Sequence, residues 1–364
     1  MKKYTIKIVS VAAAAMLLGL TGCAANVNVA QPAGSEAPAE TASAETETAP
    51  AETEAAPAEA EAEPAGGADE TLNLSYQYGL SYAPAVIAQE KGLIEKAYNE
   101  ATGGNLTVTW TQMSSGADIN TAIAAGELDG GFMGVGPAVT GVTKGLGYKI
   151  FTNLSGQEHG MTSNDPDVNS LGDLVGSDKQ IALVNTGSIQ HIILAKALVE
   201  NGYGAHDLDA NIVAMKHPDG KAALESGSVA CHLTSSPYIF SERENSDLHE
   251  IKEVADAYTV DYSFIVGIAT EELHDSKPEV YAALCDGIKA GMDLINSDPE
   301  GAAAITCELD GNTPEVELDY MKKGTYNPDT NKLFEVATFM YDNEFIENAP
   351  GSYEDLVFDN VKGN

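Results

Sequence analysis

In Ile181-Ala182-Leu183-Val184-Asn185-Thr186-Gly187-Ser188, a continuous apolar strand leads into a loop of small polar residues. The run Ile189 to Glu200 then continues with helical spacing. Such a strand, loop and helix place free backbone N–H groups and the positive end of a helix dipole at the carboxyl end of the strand. This position suits an oxyanion or a carboxylate, although Ser188 could also cap the helix without any ligand. The unit predicts an α/β fold.

An internal repeat indicates that this unit occurs in two similar halves of the chain. Ala122-Ile123-Ala124-Ala125-Gly126-Glu127-Leu128-Asp129 and Ala223-Leu224-Glu225-Ser226-Gly227-Ser228-Val229-Ala230 share one order of apolar, small and glycine positions. Each copy is typical of a helix that ends at a glycine cap and leads into a strand. A loop with a proline that can begin the next helix follows at Gly134 to Pro137 and at Thr234 to Pro237. The repeat predicts two lobes with equivalent loops.

Strand-length apolar runs alternate with helix-length patterns along most of the chain. Together they predict a mostly parallel sheet that is covered by helices. The expected strands are Leu72–Tyr76, Leu106–Thr111, Gly131–Met133, Tyr148–Leu154, Gln180–Val184, Ile212–Met215, Val229–Leu233 and Phe264–Ala269. Helices opened by proline or a polar cap are expected over one lobe at Lys277–Ser297, Pro299–Cys307, Pro314–Lys323 and Asn331–Asn343.

Two further loops carry side chains suited to contact with a ligand. The segment Tyr76 to Pro84 places tyrosines around a turn ahead of a helix, where they could stack on a flat ligand or donate a hydrogen bond. The segment Met113 to Gly116 ends the next strand and again opens a helix. We expect the hydroxyl groups of this second loop to face the same cleft.

The N-terminal residues have the layout of a bacterial secretion signal. A basic start, Met1 to Lys7, precedes the apolar run Ile8 to Leu20, which is short for a membrane span. Leu20-Thr21-Gly22-Cys23 follows, where a lipid-modified cysteine would end such a signal. We expect removal of residues 1–22 and lipidation of Cys23, which anchors the protein to the cell membrane outside the cytoplasm. An ordinary cleavable signal with an incidental cysteine is the alternative.

Residues 23–70 are rich in Ala, Glu, Pro and Thr, and Gln31 to Glu70 contains no large apolar residue. Such a segment buries too little surface to offset its ordering entropy. We therefore expect a disordered acidic linker. The whole chain carries a formal net charge of -36, so nucleic acid and anionic lipid are poor candidate partners.

The sequence offers little for catalysis, a cofactor or a metal ion. It contains no phosphate loop, dinucleotide fingerprint or Gly-x-Ser-x-Gly elbow, and its histidines lack metal-ligand spacing. We expect no enzyme activity, no cofactor and no metal, with His159 and His191 lining a pocket or lying in the core. Cys231, Cys285 and Cys307 are expected to be reduced and mostly buried, with a Cys285–Cys307 disulfide as the alternative.

Short motifs occur in a characteristic order across Thr71 to Lys252. They are Lys91–Ile94, Gly126–Gly131, Gly134–Pro137, Ser170–Gly176, Gly187–His191, His217–Asp219 and Ala223–Gly227. Together they resemble the extracytoplasmic solute-binding proteins of ABC importers. The resemblance is to the nitrate, sulfonate and taurine group, which also includes binders of thiamine precursors.

The resemblance implies the type II periplasmic-binding-protein fold, in which two α/β lobes hold a ligand in a cleft and the chain crosses between them twice. It places lobe 1 at 71–154 and 264–364 and lobe 2 at 155–263, with crossings near 150–155 and 258–264. It also implies a monomeric subunit that delivers a small molecule to permease and ATPase subunits. The implied ligand contacts are Tyr78, Tyr82, Ser114, Ser115, Gly134, Gly136, Gly187, Ser188, Gln190, His191, Thr234, Ser235 and Tyr238.

The ligand and the exact role stay open at this point. The expected cleft loops contain no lysine or arginine, so helix N-termini and hydroxyl groups would hold an anion unless Arg243, the only arginine, reaches in. An anion of the nitrate, sulfonate or taurine type and a neutral heterocycle stacked on tyrosine are both compatible with these loops. An exported enzyme on the same fold and a ligand-sensing subunit of a membrane receptor are the alternative functions.

Overall fold

The computed structural model describes residues 69–364, which form two five-stranded sheets covered by helices. The expected signal segment 1–22, the lipidation site Cys23 and linker residues 24–68 lie outside the described residues. Within 69–364, no helix has the length and apolar character that a membrane span requires.

The first sheet combines strands from both ends of the described chain. Its strands are β1 (Glu70–Tyr76), β2 (Leu106–Gln112), β3 (Gly130–Gly134), β4 (Tyr148–Ser155) and β10 (Ile265–Thr270), in the order β2-β1-β3-β10-β4. Strand β1 pairs in parallel with β2 and β3. Strand β10 pairs antiparallel with β3 and β4, because the chain returns from the second sheet before it forms β10.

The second sheet lies between these segments in sequence. Its strands are β5 (His159–Ser163), β6 (Ile181–Leu183), β7 (Ile212–Ala214), β8 (Cys231–Ser235) and β9 (His249–Ile251), in the order β7-β6-β8-β5-β9. Strand β6 is parallel to β7 and β8, and β5 is antiparallel to β8 and β9. Both sheets are therefore mixed, and the expectation of a mostly parallel sheet is wrong. In each sheet, the antiparallel pairs involve a strand that arrives from the other sheet.

Helices follow most strands and complete the C-terminal part of the chain. Before the second passage they are α1 (Ala83–Lys91), α2 (Leu93–Thr102), α3 (Gly116–Ala124), α4 (Val135–Thr143), α5 (Leu171–Leu174), α6 (Ile189–Glu200), α7 (His217–Glu225), α8 (Tyr238–Arg243) and α9 (Lys252–Asp256). After it come α10 (Glu271–Ser276), α11 (Pro278–Ser297), α12 (Pro299–Asp310), α13 (Pro314–Met321) and α14 (Leu333–Asp342). The four helices expected near the C-terminus are thus confirmed as α11 to α14. Helix α11 packs on α1 and α2, and α14 packs on α4.

The chain passes between the sheets twice, at 156–158 and at 257–264. The first passage lies just beyond the expected range 150–155, because β4 still pairs with β10 at Ser155. The two passages touch at Gly156, where a Cβ atom would collide with the carbonyl oxygen of Val260. Glycine is therefore required at this point of closest approach.

All three cysteines in the described part of the chain are free thiols. Cys231 and Cys307 are buried and Cys285 is half-buried, as expected, and the alternative Cys285–Cys307 disulfide is not formed. Burial raises the pKa of the Cys231 thiol to about 11. These thiols are packed within the fold.

Candidate functional site

A cleft between the two sheets encloses about 440 Å³, including solvent at its mouth. Most of the residues around it follow the carboxyl end of a strand, which is where α/β proteins bind ligands. The first-sheet side supplies Gln77, Tyr78, Ser81, Tyr82, Ser114, Gly116, Gly134, Pro137, Phe264 and Ile265. The second-sheet side supplies Val184, Ser188, Ile189, Gln190, Lys216, His217 and Ser235.

Helices α3, α6 and α7 begin at this cleft. Their first residues, Gly116, Ile189 and His217, all line it. Backbone N–H groups in the first turn of a helix have no partner within the helix, and the helix dipole adds a partial positive charge there. The three N-termini therefore favour a ligand with a negative or hydrogen-bond-accepting group.

Serine side chains cap two of these helices. The Ser188 hydroxyl accepts a hydrogen bond from the His191 backbone N–H at 3.3 Å, and the Ser115 hydroxyl accepts one from the Asp118 N–H at 3.2 Å. Ser188 also lines the cleft, whereas Ser115 does not. Ser188 therefore combines a capping role with a position open to the ligand.

His217 contributes a neutral imidazole to the cleft. The Gln190 amide nitrogen lies 3.2 Å from His217 Nε2, and the Thr234 hydroxyl lies 2.9 Å from His217 Nδ1. Burial, assisted by the neighbouring His232, lowers the pKa of His217 to about 3. His217 thus orients Gln190 without adding charge. Thr234, an expected ligand contact, lies behind His217 and does not line the cleft.

Lys216 brings an ammonium group to the cleft. Its Nζ atom lies 5.4 Å from the centre of the Tyr78 ring, within cation–π range, and 3.7 Å from the Asp219 carboxylate. The expectation that the cleft loops lack lysine is therefore wrong. Lys216 lies in the connection from β7 to α7, which is outside the expected cleft loops although it follows the same pattern of strand, loop and helix.

Arg243 does not reach the cleft. Its guanidinium is held by two carboxylates, at 2.6 Å from Glu158 and at 2.5 Å from Glu250. Because these ion pairs hold Arg243 elsewhere, Lys216 is the only lysine or arginine among the described residues that line the cleft.

Glycines bring the two sides of the cleft into direct contact. A Cβ atom at Gly134 would lie 2.7 Å from Ile189 Cγ2, and one at Gly136 would lie 2.9 Å from the Gly187 carbonyl oxygen. Both distances are too short for a real Cβ atom. Gly136 and Gly187 do not line the cleft. Their observed role is the close approach of the N-termini of α4 and α6.

The expected tyrosine contacts divide into three positions. Tyr78 lines the cleft and faces Lys216. Tyr82 also lines it but is only 5% exposed, so it belongs largely to the core. Tyr238 does not line the cleft and stacks on His217, with 5.6 Å between ring centres. Of the three, Tyr78 is the best placed to contact a ligand.

His191 lies outside the cleft in a cluster with His206 and Asp209, whose possible ligand atoms lie within 4.8 Å of one another. The Gly187 N–H donates to His191 Nδ1 at 2.9 Å, so Nε2 carries the proton and donates to Asp209 Oδ1 at 2.8 Å. A protonated Nε2 has no lone pair for a metal ion. The geometry fits a proton-sharing network better than a metal site.

The structure brings together about half of the expected contacts and adds others. The expected residues that line the cleft are Tyr78, Tyr82, Ser114, Gly134, Ser188, Gln190 and Ser235. Those that lie outside it are Ser115, Gly136, Gly187, His191, Thr234 and Tyr238. Sequence reasoning missed Gln77, Ser81, Lys216, His217 and Phe264. Gln77 and Ser81 belong to the tyrosine loop already singled out, which was the available signal.

Residues 65–245 match the model of a family described as NMT1-like. The matched segment contains every expected ligand contact, and only Phe264 and Ile265 of the residues lining the described cleft lie beyond it. A search of curated proteins finds no match to the chain.

Solved structures share the fold. The alkanesulfonate-binding protein SsuA from Xanthomonas axonopodis pv. citri, bound to MOPS, is 16% identical with a TM-score of 0.65, over 81% of this chain and 98% of that one. SsuA from Escherichia coli is 18% identical with a TM-score of 0.61, over 80% and 93%. The nitrate-binding protein NrtA from Synechocystis PCC 6803 is 15% identical with a TM-score of 0.61, over 78% and 83%. The expected periplasmic-binding-protein fold is therefore confirmed.

Proposed function

We propose that the protein is a lipid-anchored, extracytoplasmic solute-binding subunit of an ABC importer. One observation carries the proposal: three helix N-termini, the Lys216 ammonium group and neutral hydrogen-bonding side chains converge in a cleft between two sheets. Groups from both sides of the cleft can therefore contact a small ligand, and this binding requires no catalytic group. The sulfonate- and nitrate-binding proteins of the same fold give the proposal its transport context.

The charge of the cleft favours a small organic or inorganic anion. Lys216 supplies a full positive charge, and the N-termini of α3, α6 and α7 supply partial ones. Gln190 and Ser235 add uncharged polar groups. A neutral heterocycle of the thiamine-precursor type is the second candidate, because the half-buried ring of Tyr78 lines the cleft and offers a stacking surface.

Binding would shift an equilibrium between open and closed forms. The contact of Gly134 with Ile189 belongs to the closed form, in which the two sides of the cleft meet. Closure would bury the ligand and bring together surfaces of both lobes, 71–154 with 264–364 and 155–263. The permease would recognise that joined surface.

Identification of the ligand tests the proposal. The protein is purified without denaturation, and native mass spectrometry is combined with calorimetric titration of nitrate and of ethanesulfonate. We expect a small bound molecule, or saturable binding of one of the anions with a one-to-one stoichiometry. Absence of both, with the fold intact by circular dichroism, would contradict the proposal.

The lipid anchor has a separate test. Cys23→Ala removes the expected acylation site, so labelling with a fatty-acid analogue should disappear and the protein should leave the membrane fraction or persist as a precursor. Equal labelling of the variant and the unmodified chain would contradict the anchor without affecting the solute-binding proposal.

The geometry of His217 argues for binding over catalysis. Both of its ring nitrogens have protein partners, Gln190 and Thr234, so neither is free to accept a proton from a substrate. Recovery of a chemically altered ligand after incubation would favour the exported-enzyme alternative. Genes for a permease and an ATPase beside the coding gene would favour transport over a receptor-sensing role.

A further inference from the structure

A cavity of about 220 Å³ lies between α6 and α14, apart from the cleft. Its apolar wall is formed by side chains from both helices and from the second passage between the sheets. They are Ile192, Val199, Val336, Phe339 and Tyr258. These five residues are not part of the cleft lining. The cavity is therefore a second space with its own chemistry.

The cavity is large enough for a small organic molecule. In another protein, an apolar cavity of about 150 Å³ already binds benzene. Ile192 and Val336 are buried, whereas Val199 is 40% exposed and marks the side on which the cavity meets solvent. A molecule can therefore enter beside Val199 while both helices stay folded.

The charged groups around the cavity are already paired. Lys196 forms an ion pair with Glu200 along α6, and Glu335 forms one with Lys332 at 3.0 Å. A charged ligand would have to compete with these pairs and would also lose its hydration. The cavity therefore favours an uncharged ligand.

Tyr258 offers its ring to the cavity, because its hydroxyl group is already used. The residue is buried, and the hydroxyl donates a hydrogen bond to the carbonyl oxygen of Ser263. The rings of Tyr258 and Phe339 and three branched aliphatic side chains give a hydrocarbon close contacts on several sides. A water molecule needs about two to four polar partners and would be held poorly against this wall.

We propose that this cavity is a binding site for a small uncharged apolar molecule of about the size of toluene. The site is additional to the cleft, and its existence does not depend on the proposed transport function. Its volume, its apolar wall and its paired charges define the chemical class of the ligand.

The position of the cavity links its occupancy to closure of the cleft. The N-terminus of α6 closely approaches that of α4 at Gly136, and α14 packs on α4. Opening of the cleft would draw α6 away from α4 and α14, so the cavity would lose one wall. A molecule bound there favours the closed form and, by linkage, should tighten anion binding in the cleft. This consequence, unlike the site itself, rests on the proposed function.

Titration of the whole protein with toluene, followed by NMR of its methyl groups, tests the site. We expect saturable shifts of the methyl resonances of Ile192, Val199 and Val336. Benzoate and benzylammonium are charged molecules of similar size and should bind at these methyl groups at least roughly tenfold more weakly. Absence of saturable toluene shifts there, or equal affinity for the charged molecules, would overturn the site.

Two matched variants assign the toluene signal to the cavity. Val199→Trp fills the cavity from its open side and should abolish the toluene shifts at Ile192 and Val336. Val316→Trp is the control, because Val316 is 38% exposed on α13 and does not line the cavity. It should bind toluene as the unmodified protein does. Toluene shifts that persist in a folded Val199→Trp would overturn the site. If that variant does not fold, the methyl shifts of the unmodified protein decide the matter.

Ethanesulfonate titrations with and without saturating toluene test the link to closure. We expect toluene to tighten ethanesulfonate binding at least about fivefold. Unchanged or weaker binding would overturn the link and leave the toluene site in place. If neither ethanesulfonate nor nitrate binds, the link is overturned together with the proposed anion site. The toluene site is then still decided by the methyl shifts.

Discussion

Lys216 is the side chain that most changes the chemistry expected of the cleft. It lies directly before α7, half-buried, with its ammonium group over the Tyr78 ring. The nearest carboxylate, on Asp219, is 3.7 Å away and largely exposed to solvent, so it neutralises the lysine only weakly. The positive charge therefore stays available to a ligand.

Replacement of this charge should weaken anion binding selectively. For Lys216→Met we expect a loss of about 1.5–3 kcal/mol in ethanesulfonate affinity, the range for hydrogen bonds to charged groups. Thermal stability should change little, because the side chain is only partly buried. Calorimetry and a thermal melt measure the two quantities.

Lys221→Met provides the matched control for Lys216→Met. Lys221 lies on the same helix and pairs with Glu225 at 2.9 Å, away from the lining of the cleft. The Lys221→Met variant should leave the affinity for ethanesulfonate unchanged. Equal losses in both variants would mean that the effect is long-range electrostatics and that Lys216 does not contact the anion.

At the scale of elements, local sequence patterns predict most strands and helices. The strands that they do not predict pair with partners far away in the sequence. Strands such as β1 and β2 have continuous or alternating apolar residues that mark them in the sequence. In contrast, β5 has only one large apolar residue, Met161, and β9 spans three residues. Both owe their conformation to antiparallel partners far away in the sequence. No local signal could have revealed them.

The same division between local pattern and distant placement applies to the candidate site. Loops that follow a clear strand and open a helix were found, so Tyr78, Ser114 and Ser188 lie where they were expected. The expected contacts that lie outside the cleft depend on how distant segments are placed against each other. Gly136 approaches Gly187 closely, and this requires the relative placement of two segments that are about 50 residues apart. Spacing along the chain carries no information on that placement.

The N-terminus of α6 allows its capping and binding roles to be separated. Ser188→Ala removes the cap and should lower the free energy of unfolding by about 0.5–2 kcal/mol. Ser188→Asp restores a capping carboxylate but places a negative charge at the cleft, so stability should recover while anion binding is lost. Denaturant unfolding and ethanesulfonate titration measure the two effects. Anion binding retained in Ser188→Asp would place the anion away from α6.

At the scale of the whole molecule, a hydrogen bond outside the cleft links the segment that follows α6 to the end of α14. His206 Nε2 donates to the carbonyl oxygen of Asn343, the residue that ends α14, at 2.7 Å. His206 Nδ1 faces Asp209 Oδ2 at 2.9 Å. Since both neighbours are acceptors, the ring satisfies both only when it is protonated. The rings of His191 and His206 both pack on Phe345.

This contact should make stability depend on pH. Burial lowers the pKa of His206, but the hydrogen bonds to Asn343 and Asp209, helped by Glu344, outweigh it, so the pKa is raised above 6.5. Its stabilisation is therefore complete below about pH 6.5 and lost as the pH rises through the raised value. His191 acts oppositely: burial lowers its pKa, so it costs stability below about pH 6.5.

Denaturant unfolding between pH 6.5 and 9 measures this dependence. We expect the unmodified protein to lose about 0.5 kcal/mol over that range relative to His206→Gln, because the ring is partly exposed and screened by solvent. His274→Gln is the control, as that half-exposed histidine lies in another part of the fold. Parallel pH profiles for the unmodified protein and His206→Gln would disprove the role of His206.

The absence of a side chain at Gly134 also bears on the kinetics of capture and release. When the cleft closes and Gly134 meets Ile189, residue 134 has no side chain to immobilise. The loss of side-chain entropy that opposes closure is therefore small at this position. In Gly134→Ala, the added methyl group would strain the closed form but leave the open one unhindered. We expect stopped-flow fluorescence to show ligand dissociating at least tenfold faster with little change in the association rate. In the proposed transport role, the absence of a side chain at residue 134 would therefore help to set the residence time of the solute, and with it the time available for an encounter with a permease.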